Sequence, residues 1–413
     1  MHTLLFLAFA WIVLGAVSLG VMYHRLFLSL WREPTLKYPV LIIESDDWGP
    51  GPDGDAEQLK NLVDTLSVYH DIHGRSPVMT LGIILAIPDT ARFRENPSTE
   101  YRRITLSDPR FAAIRQALQD GVARGVFALQ LHAMEHYWPP AVTTTATHNC
   151  TVAEWLTQEG LPRTEDLPPQ LQSGWIDASV LPSKPIPDEL IRVAAIEEVG
   201  MFYTIFRSTP QVAVPTTFIW NKAVEIGWGS AGIRFVVTPG KRCEARDEEA
   251  RPIVAEKLIV NGQVSDSGVM YMVRDEYFEP TLGHRAERGL AALERKTLTG
   301  RPTLLETHRF NFTGAEQIAK ASMDEVSRLL AIAVQRFPDI LFMPTEKLAT
   351  CILENDPSLI EQNLARRVHC WLRRLYEIQG VRRLAWLFGI IIPAWLLFLT
   401  TGKGPLWIGN AAR

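Results

Sequence analysis

The chain is expected to fold as an α/β domain on a parallel, barrel-like sheet, with apolar membrane-seeking segments at both ends. Three observations lead there. Between about residues 38 and 354, apolar runs of strand length alternate with stretches of helical period. Three of those runs end in chemistry-bearing side chains: Asp46-Asp47, His132 with His136, and His308. Ligands of α/β folds bind at the carboxyl ends of the strands. Outside the domain lie two uncharged runs, residues 3–22 and 384–401. Seven or so strand–helix units suit a barrel, and a doubly wound open sheet is the alternative.

The opening strand, Val40-Leu41-Ile42-Ile43, runs into Glu44-Ser45-Asp46-Asp47-Trp48 and a Gly-Pro-Gly-Pro turn. Leu59, Leu62, Val63 and Leu66 then recur at helical spacing over 57–70. A strand over 78–87 follows. Asp108 with Pro109 behind it reads as a helix start, and Gly121 and Gly125 bracket the turn into a strand over 126–131. The Pro- and Thr-rich stretch from Tyr137 to about residue 180 reads as an insertion or lid, with one helical piece near Glu154. Next come a helix over 188–199, a strand over 201–206, a short strand over 212–214, a helix over 220–226 and a strand over 235–238. Residues 242–251 read as a charged surface loop. A strand over 269–273, a helix over 281–293 and a strand over 303–307 deliver His308 to a strand end. Ser322 with Glu325 forms a capping-box pattern for a helix to residue 335, and the last strand covers 340–343.

The 413 residues carry a net charge of −4, which removes any global case for nucleic acid. Four dispersed cysteines without a C-x-x-C pair argue against a cysteine zinc site or a disulfide framework, and they suit a reducing compartment. Residues 3–22 match the length needed to cross a bilayer, and they lack the basic start of a cleaved signal peptide. The run 384–401, with Pro393 inside, is expected to be a second crossing. Arg25, Arg32 and Lys37 follow the first run. Six arginines between 366 and 383 precede the second, and only Lys403 and Arg413 come after it. Both counts place the domain on the cytoplasmic side of an inner or plasma membrane, in a two-pass arrangement. Residues 365–383 set Val368, Trp371, Leu372, Leu375 and Ile378 at helical spacing among arginine pairs, the pattern of an amphipathic helix on anionic lipid.

Two carboxylates crowded at a buried edge require a cation or a shared proton. His132 and His136 stand at ligand spacing beside Glu135, and a metal site there is expected. His-x-x-Glu-His also matches an inverted zinc-protease pattern, which wants a helix and a downstream acidic ligand. His308 is a candidate proton donor or oxyanion stabiliser. Arg309 beside it is a substrate-binding or salt-bridge residue. Trp48, Tyr137, Trp138 and Trp220 are candidates for stacking on sugar faces, with core packing as the alternative.

These motifs resemble those of the polysaccharide deacetylases of carbohydrate esterase family 4, the NodB-homology domain. Ser45-Asp46-Asp47 is similar to the family's first motif, which implies Asp46 as general base and Asp47 as metal ligand. His132 and His136 match the spacing of its second motif and would complete the metal triad, with Ala133 in place of a small hydroxyl residue. Thr307-His308 resembles the last motif, with Glu306 where a Leu would fall. The family's Arg-x-Pro-Tyr is absent as such. Arg207-Ser-Thr-Pro210 and Val214-Pro215 are loose counterparts, neither with the Tyr, and the first makes Arg207 a candidate substrate-binding residue. The resemblance covers most of residues 38–350 and implies a distorted (β/α)7 barrel.

The implied chemistry is hydrolysis of an N-acyl or O-acyl group on a sugar. A divalent ion, zinc first among candidates, would be held by Asp47, His132 and His136, with Asp46 as base and His308 as acid. A cytoplasmic domain between two anchors points to a lipid-linked glycan or polysaccharide precursor. The competing reading is a non-catalytic membrane protein of glycan assembly with a degenerate site.

Overall fold

The computed structural model describes residues 2–96 and 100–401. Its strands are β1 (Val40–Trp48), β2 (Met79–Ile84), β3 (Ala86–Pro88), β4 (Arg103–Thr105), β5 (Phe127–Ala133), β6 (Val212–Ala213), β7 (Phe235–Thr238), β8 (Arg242–Arg246), β9 (Pro252–Glu256), β10 (Met270–Val273), β11 (Glu276–Tyr277), β12 (Thr303–His308) and β13 (Leu341–Phe342). The main sheet is parallel throughout, in the order β10-β7-β6-β5-β2-β1-β12-β11, with β13 beside the start of β1. β10 and β11 lie at opposite ends of that order, yet only Arg274 and Asp275 separate them in the chain. The sheet therefore comes full circle and is closed at one seam by the peptide chain instead of a hydrogen-bond ladder. This is the distorted barrel, and the open doubly wound sheet is set aside.

Each face of the sheet buries its own core. Val40 and Ile42 point inward with Val212, Phe235, Met270 and Leu304. Leu41 and Ile43 point outward against the surrounding helices. Buried on both faces, such strands read as unbroken apolar runs, which is why they are legible in the sequence.

The helices begin with α1 (His2–Met22) and α2 (His24–Arg32). Around and above the barrel follow α3 (Gly54–Leu66), α4 (Thr90–Glu95), α5 (Ala112–Ala123), α6 (Pro139–Ala146), α7 (Cys150–Thr157), α8 (Asp188–Phe206), α9 (Lys222–Ala231), α10 (Ala286–Leu298), α11 (Glu316–Arg336) and α12 (Thr345–Leu353). The chain ends in α13 (Leu364–Glu377), α14 (Gln379–Leu387) and α15 (Ile391–Thr401).

Several expectations need correction. Residues 201–206 are not a strand but the last turns of α8, where Phe202 and Ile205 continue the buried row of Ala195 and Val199. Residues 242–251 are not a loop: they form β8 and the turn into β9. Ser322 does not cap a helix, because α11 begins six residues earlier and Ser322 is buried within it. The 137–180 insertion holds two helices, α6 and α7, and packs a core of its own around Trp155, Val142 and Leu156.

At the chain's ends, α1 is long and apolar enough to cross a membrane, with a mean hydropathy of 2.5 and little of it buried. The second apolar run is not one helix. α14 and α15 meet at 113°, broken at Gly389 with φ of 70° rather than at Pro393. α15 then returns to lie on α13, with the Phe398 and His369 rings 3.9 Å apart. Lys403 and Arg413, used in the charge count, lie outside the described residues.

One buried arginine fixes these ends to the barrel. Arg374 of α13 is 1% exposed. It donates to the carbonyls of Leu30 in the last turn of α2, of Glu33 and Pro34 just after it, and of Thr299 and Gly300 before β12. All of these sit at the amino edge of the sheet.

Candidate metal centre and active site

The site is built on inward-facing layers of β1 and β12, which run in register. Ile42 faces Leu304, then Glu44 faces Glu306, then Asp46 faces His308. Strict alternation would turn Asp47 outward. Instead the register slips between Ser45 and Trp48, and Asp47 takes a left-handed φ of 70°. A bulge of this kind re-aims a side chain, so both carboxylates reach the carboxyl edge. Room for the first comes from Gly82 of β2, where a Cβ would stand 2.3 Å from Asp46 Oδ1.

Asp47 Oδ1 lies 3.3 Å from His132 Nε2 and 3.5 Å from His136 Nε2. No helix brings the histidines together: His132 is on β5 and His136 in the bend after it. His132 Nδ1 donates to Val214 O at 2.9 Å, which fixes the ring with Nε2 turned toward Asp47. Asp47 Oδ1 is buried without a hydrogen-bond partner. One carboxylate oxygen and two imidazole nitrogens within 4.8 Å of one another suit a divalent ion. Burial raises the Asp47 carboxyl, but His136, His132 and His308 outweigh it and hold it well below the carboxylate range. Burial lowers His136 to about 4, which keeps it neutral, as a ligand must be.

The strongest contacts in the site come from Arg274, which stands outside the motifs named above. Arg274 lies at the barrel seam with no exposed side-chain surface. Its guanidinium reaches Asp46 Oδ2 at 2.5 Å, Glu44 Oε2 at 2.8 Å and Glu306 Oε2 at 3.3 Å. Burial alone would raise Asp46, yet Arg274 and His132 hold it below its ordinary value. Oδ2 is thereby tied, while Oδ1 is buried with no partner. Arg274 thus fixes the orientation of the Asp46 carboxylate from outside any Arg-x-Pro-Tyr. Its signal was available: it follows the apolar run 269–273, as the other site residues follow theirs.

His308 has a partner that carried no such signal. Its Nδ1 donates to Glu279 Oε1 at 2.6 Å. Glu279 in turn accepts from Asn311 Nδ2 and, at 3.4 Å, from Thr307 Oγ1. Burial opposes the charge on His308, but the Glu279 hydrogen bond and the Asp47 and Asp46 carboxylates outweigh it and raise it to about 10. Burial pushes Glu306 up to about 7 despite Arg274 and His308.

Four candidate substrate-binding residues are placed elsewhere. Trp48 and Trp220 are 1% and 0% exposed, with their indole N–H groups donated to Ser45 Oγ and Glu225 Oε1. Tyr137 is buried, its hydroxyl 2.7 Å from that of Tyr101 and its ring against Trp155. These rings pack the core and do not present faces to a sugar. Arg207 is exposed at the end of α8. α8 carries the chain back to the start of β6, so Arg207 lies at the edge opposite the site. Arg309 adjoins the site but donates to Pro50 O and faces Asp55 Oδ2 at 3.7 Å. Glu135 turns from the histidines to Arg103 Nε at 2.8 Å and Tyr101. With no helix beneath it, the inverted-protease pattern has neither its base nor its scaffold.

Fold and site together define a distorted parallel barrel with an Asp-His-His triad and an arginine-held carboxylate at its carboxyl edge. No protein-family model matches the chain, and no curated protein does. Among solved structures it is similar to a 4-alpha-glucanotransferase from Thermococcus litoralis, with TM-score 0.38 and 9% identity over 76% of this chain, which spans only 40% of that enzyme. A family 4 acetyl xylan esterase from Clostridium thermocellum gives TM-score 0.34 and 10% identity over 75% of this chain and 90% of that one. A peptidoglycan N-acetylglucosamine deacetylase gives 0.34 and 8% over 76% and 90%. Likeness at this level is silent on activity, so the residues themselves carry the functional reading.

Proposed function

We propose that the chain is a membrane-anchored, metal-dependent deacylase that hydrolyses an N-acyl or O-acyl group on a sugar. The observation that carries this is Asp46. Arg274 holds one of its oxygens, the other is free and buried, the Asp47-His132-His136 triad adjoins it, and His308 lies across from it in register.

Asp47, His132 and His136 would hold the ion, zinc first among candidates for one carboxylate and two imidazoles. A divalent ion there supplies Lewis acidity toward a carbonyl and acidifies water. Asp46, kept ionised by Arg274, accepts a proton from the attacking water through Oδ1. His308, kept protonated by Glu279, donates from Nε2 to the departing sugar nitrogen or oxygen as the bond to the acyl carbon breaks. The products are a carboxylic acid and a free amine or hydroxyl.

The competing degenerate-site reading rested on the missing Arg-x-Pro-Tyr. Arg274 meets that need from another position, which favours an intact site. The anchors join at the amino edge, and β1 carries the chain from Val40 to Asp47, about 23 Å at roughly 3.3 Å per residue. That separation favours a glycan standing off the bilayer over a sugar bound directly at the lipid phosphate. The basic residues after α1 favour a cytoplasmic domain. A reporter in the β8–β9 turn tests this, and activity confined to the far side of the membrane rules it out.

The decisive experiment is carboxylate release from a panel of N- and O-acetylated glycans, short lipid-linked ones included, with Asp46→Asn as control. Release that is abolished by Asp46→Asn supports the reading. No release from any member by metal-loaded protein counts against it.

A further inference from the structure

We infer that α13 and α14 form a docking surface for anionic phospholipid headgroups, in the leaflet where α1 ends. The inference does not depend on what the barrel hydrolyses.

α13 is held beside the end of the membrane-length helix. Trp371 Nε1 donates to Phe27 O of α2 at 3.2 Å, and the Trp371 ring meets those of Phe27 and Trp31 edge-on, both at 5.9 Å. Arg374 locks the same helix to the barrel. The position of α13 is therefore fixed by packing, and its charges are carried to the foot of α1.

Arg366 pairs with Glu361 and Arg373 donates to His369 Nε2 at 3.1 Å, but most of those charges lack a carboxylate partner. Arg367, Arg373, Arg382 and Arg383 form no ion pair among the described residues. The first three lie over the rings of Trp31, Phe398 and Tyr376 at 4.8, 4.9 and 5.3 Å. Most exposed arginines on the barrel behave otherwise: Arg110, Arg124, Arg251, Arg328 and Arg336 each pair with a carboxylate, and Arg94, Arg207, Arg234 and Arg288 are the exceptions. Within α13 and α14 the single acid is Glu377, and it is already paired with Arg301.

The same face exposes apolar side chains that water does not favour. Trp386 and Leu387 are 62% and 64% exposed, and Trp11 of α1 donates to Leu387 O at 3.2 Å. Guanidinium groups without carboxylate partners beside exposed aromatics, continuous with an apolar helix of spanning length, match the headgroup layer of an anionic leaflet. A soluble acidic protein would satisfy the arginines but leave Trp386 and Leu387 in water.

The test uses the full chain in nanodiscs containing brominated phosphatidylglycerol or brominated phosphatidylcholine at equal mole fraction, with tryptophan fluorescence as readout. The buried barrel tryptophans give a constant background. The anionic lipid is expected to quench with about threefold or greater selectivity, shrinking at about 0.5 M salt. Changing Arg367, Arg373, Arg382 and Arg383 together to Gln brings the two lipids level, whereas the matching Lys set keeps the selectivity and shows that the fold survives. Equal quenching by both lipids in the wild type overturns the proposal. So does a selectivity that persists in the Gln set.

Discussion

Glu44 and Glu306 stand opposite each other in register on β1 and β12, and both carboxylates close on one guanidinium, that of Arg274. Like charges directly opposite on neighbouring strands repel. Here they are the cage that places Arg274 under Asp46. Replacing Arg274 with Met leaves three buried carboxyls without their cation. The expected cost is about 3–5 kcal/mol of stability, the usual penalty for removing one partner of a buried charge cluster. Chemical denaturation of the variant checks this, and an unshifted midpoint contradicts it.

Gly82→Ala tests how tightly Asp46 is placed. The new Cβ would meet Asp46 Oδ1 at 2.3 Å, while Arg274 prevents the carboxylate from yielding freely. A displacement of about 1 Å at a reacting group costs roughly 100-fold in rate, and turnover is expected to fall on that scale with the fold retained. Full activity in a folded Gly82→Ala protein would show that Asp46 is not the base.

The triad makes a claim about metal. The purified wild-type chain should hold close to one equivalent of a divalent ion by elemental analysis, and Asp47→Ala and His136→Ala should lose it. Since only the folded chain presents the site, removal by a chelator should lower the melting temperature, by about 5 °C or more for an ion present well above its dissociation constant. Wild-type protein that neither binds metal nor responds to chelator refutes the assignment.

The Glu279–His308 pair predicts a pH effect with a definite sign. Glu279 helps raise His308 to about 10, so the proton-donating form persists through neutral pH. In Glu279→Gln that support is gone, and the alkaline limb of the rate profile should move to lower pH by about one unit or more. The stability linkage runs the same way. A histidine raised from 6.5 to about 10 contributes stability that is complete below 6.5 and lost as pH rises through 10. The variant's deficit should accordingly be larger at pH 6 than above pH 10. A pH–rate profile superimposable on the wild type would remove His308 from the proposed acid role.

Trp48 and Trp220 are predicted to affect stability, not substrate affinity. Trp48→Ala should cost about 3–5 kcal/mol through the cavity it opens. Trp48→Phe should leave KM unchanged. A raised KM in a stable Phe variant would return the ring to the substrate.

What the sequence determined by itself was most of the barrel strands and the three strand ends that carry Asp46-Asp47, His132 with His136, and His308. A strand buried on both faces must be apolar throughout, so its end is abrupt, and a polar residue just past it is conspicuous. α8 misled because its last turn, Met201 to Phe206, is as apolar as a strand; only the continuing buried row shows it to be helical. Tertiary structure alone decided the rest. Arg274 and Glu279 reach Asp46 and His308 from residues that are more than two hundred positions away in one case and 29 in the other. They do so because the barrel closes on itself between β10 and β11, and a pattern of local periods holds no information about which ends a sheet will join. The same closure set the terminal helices at one edge and the site at the other, by way of Arg374. It also moved Trp48, Tyr137 and Trp220 from candidate sugar platforms to core, since burial belongs to the assembled fold and not to the residue type.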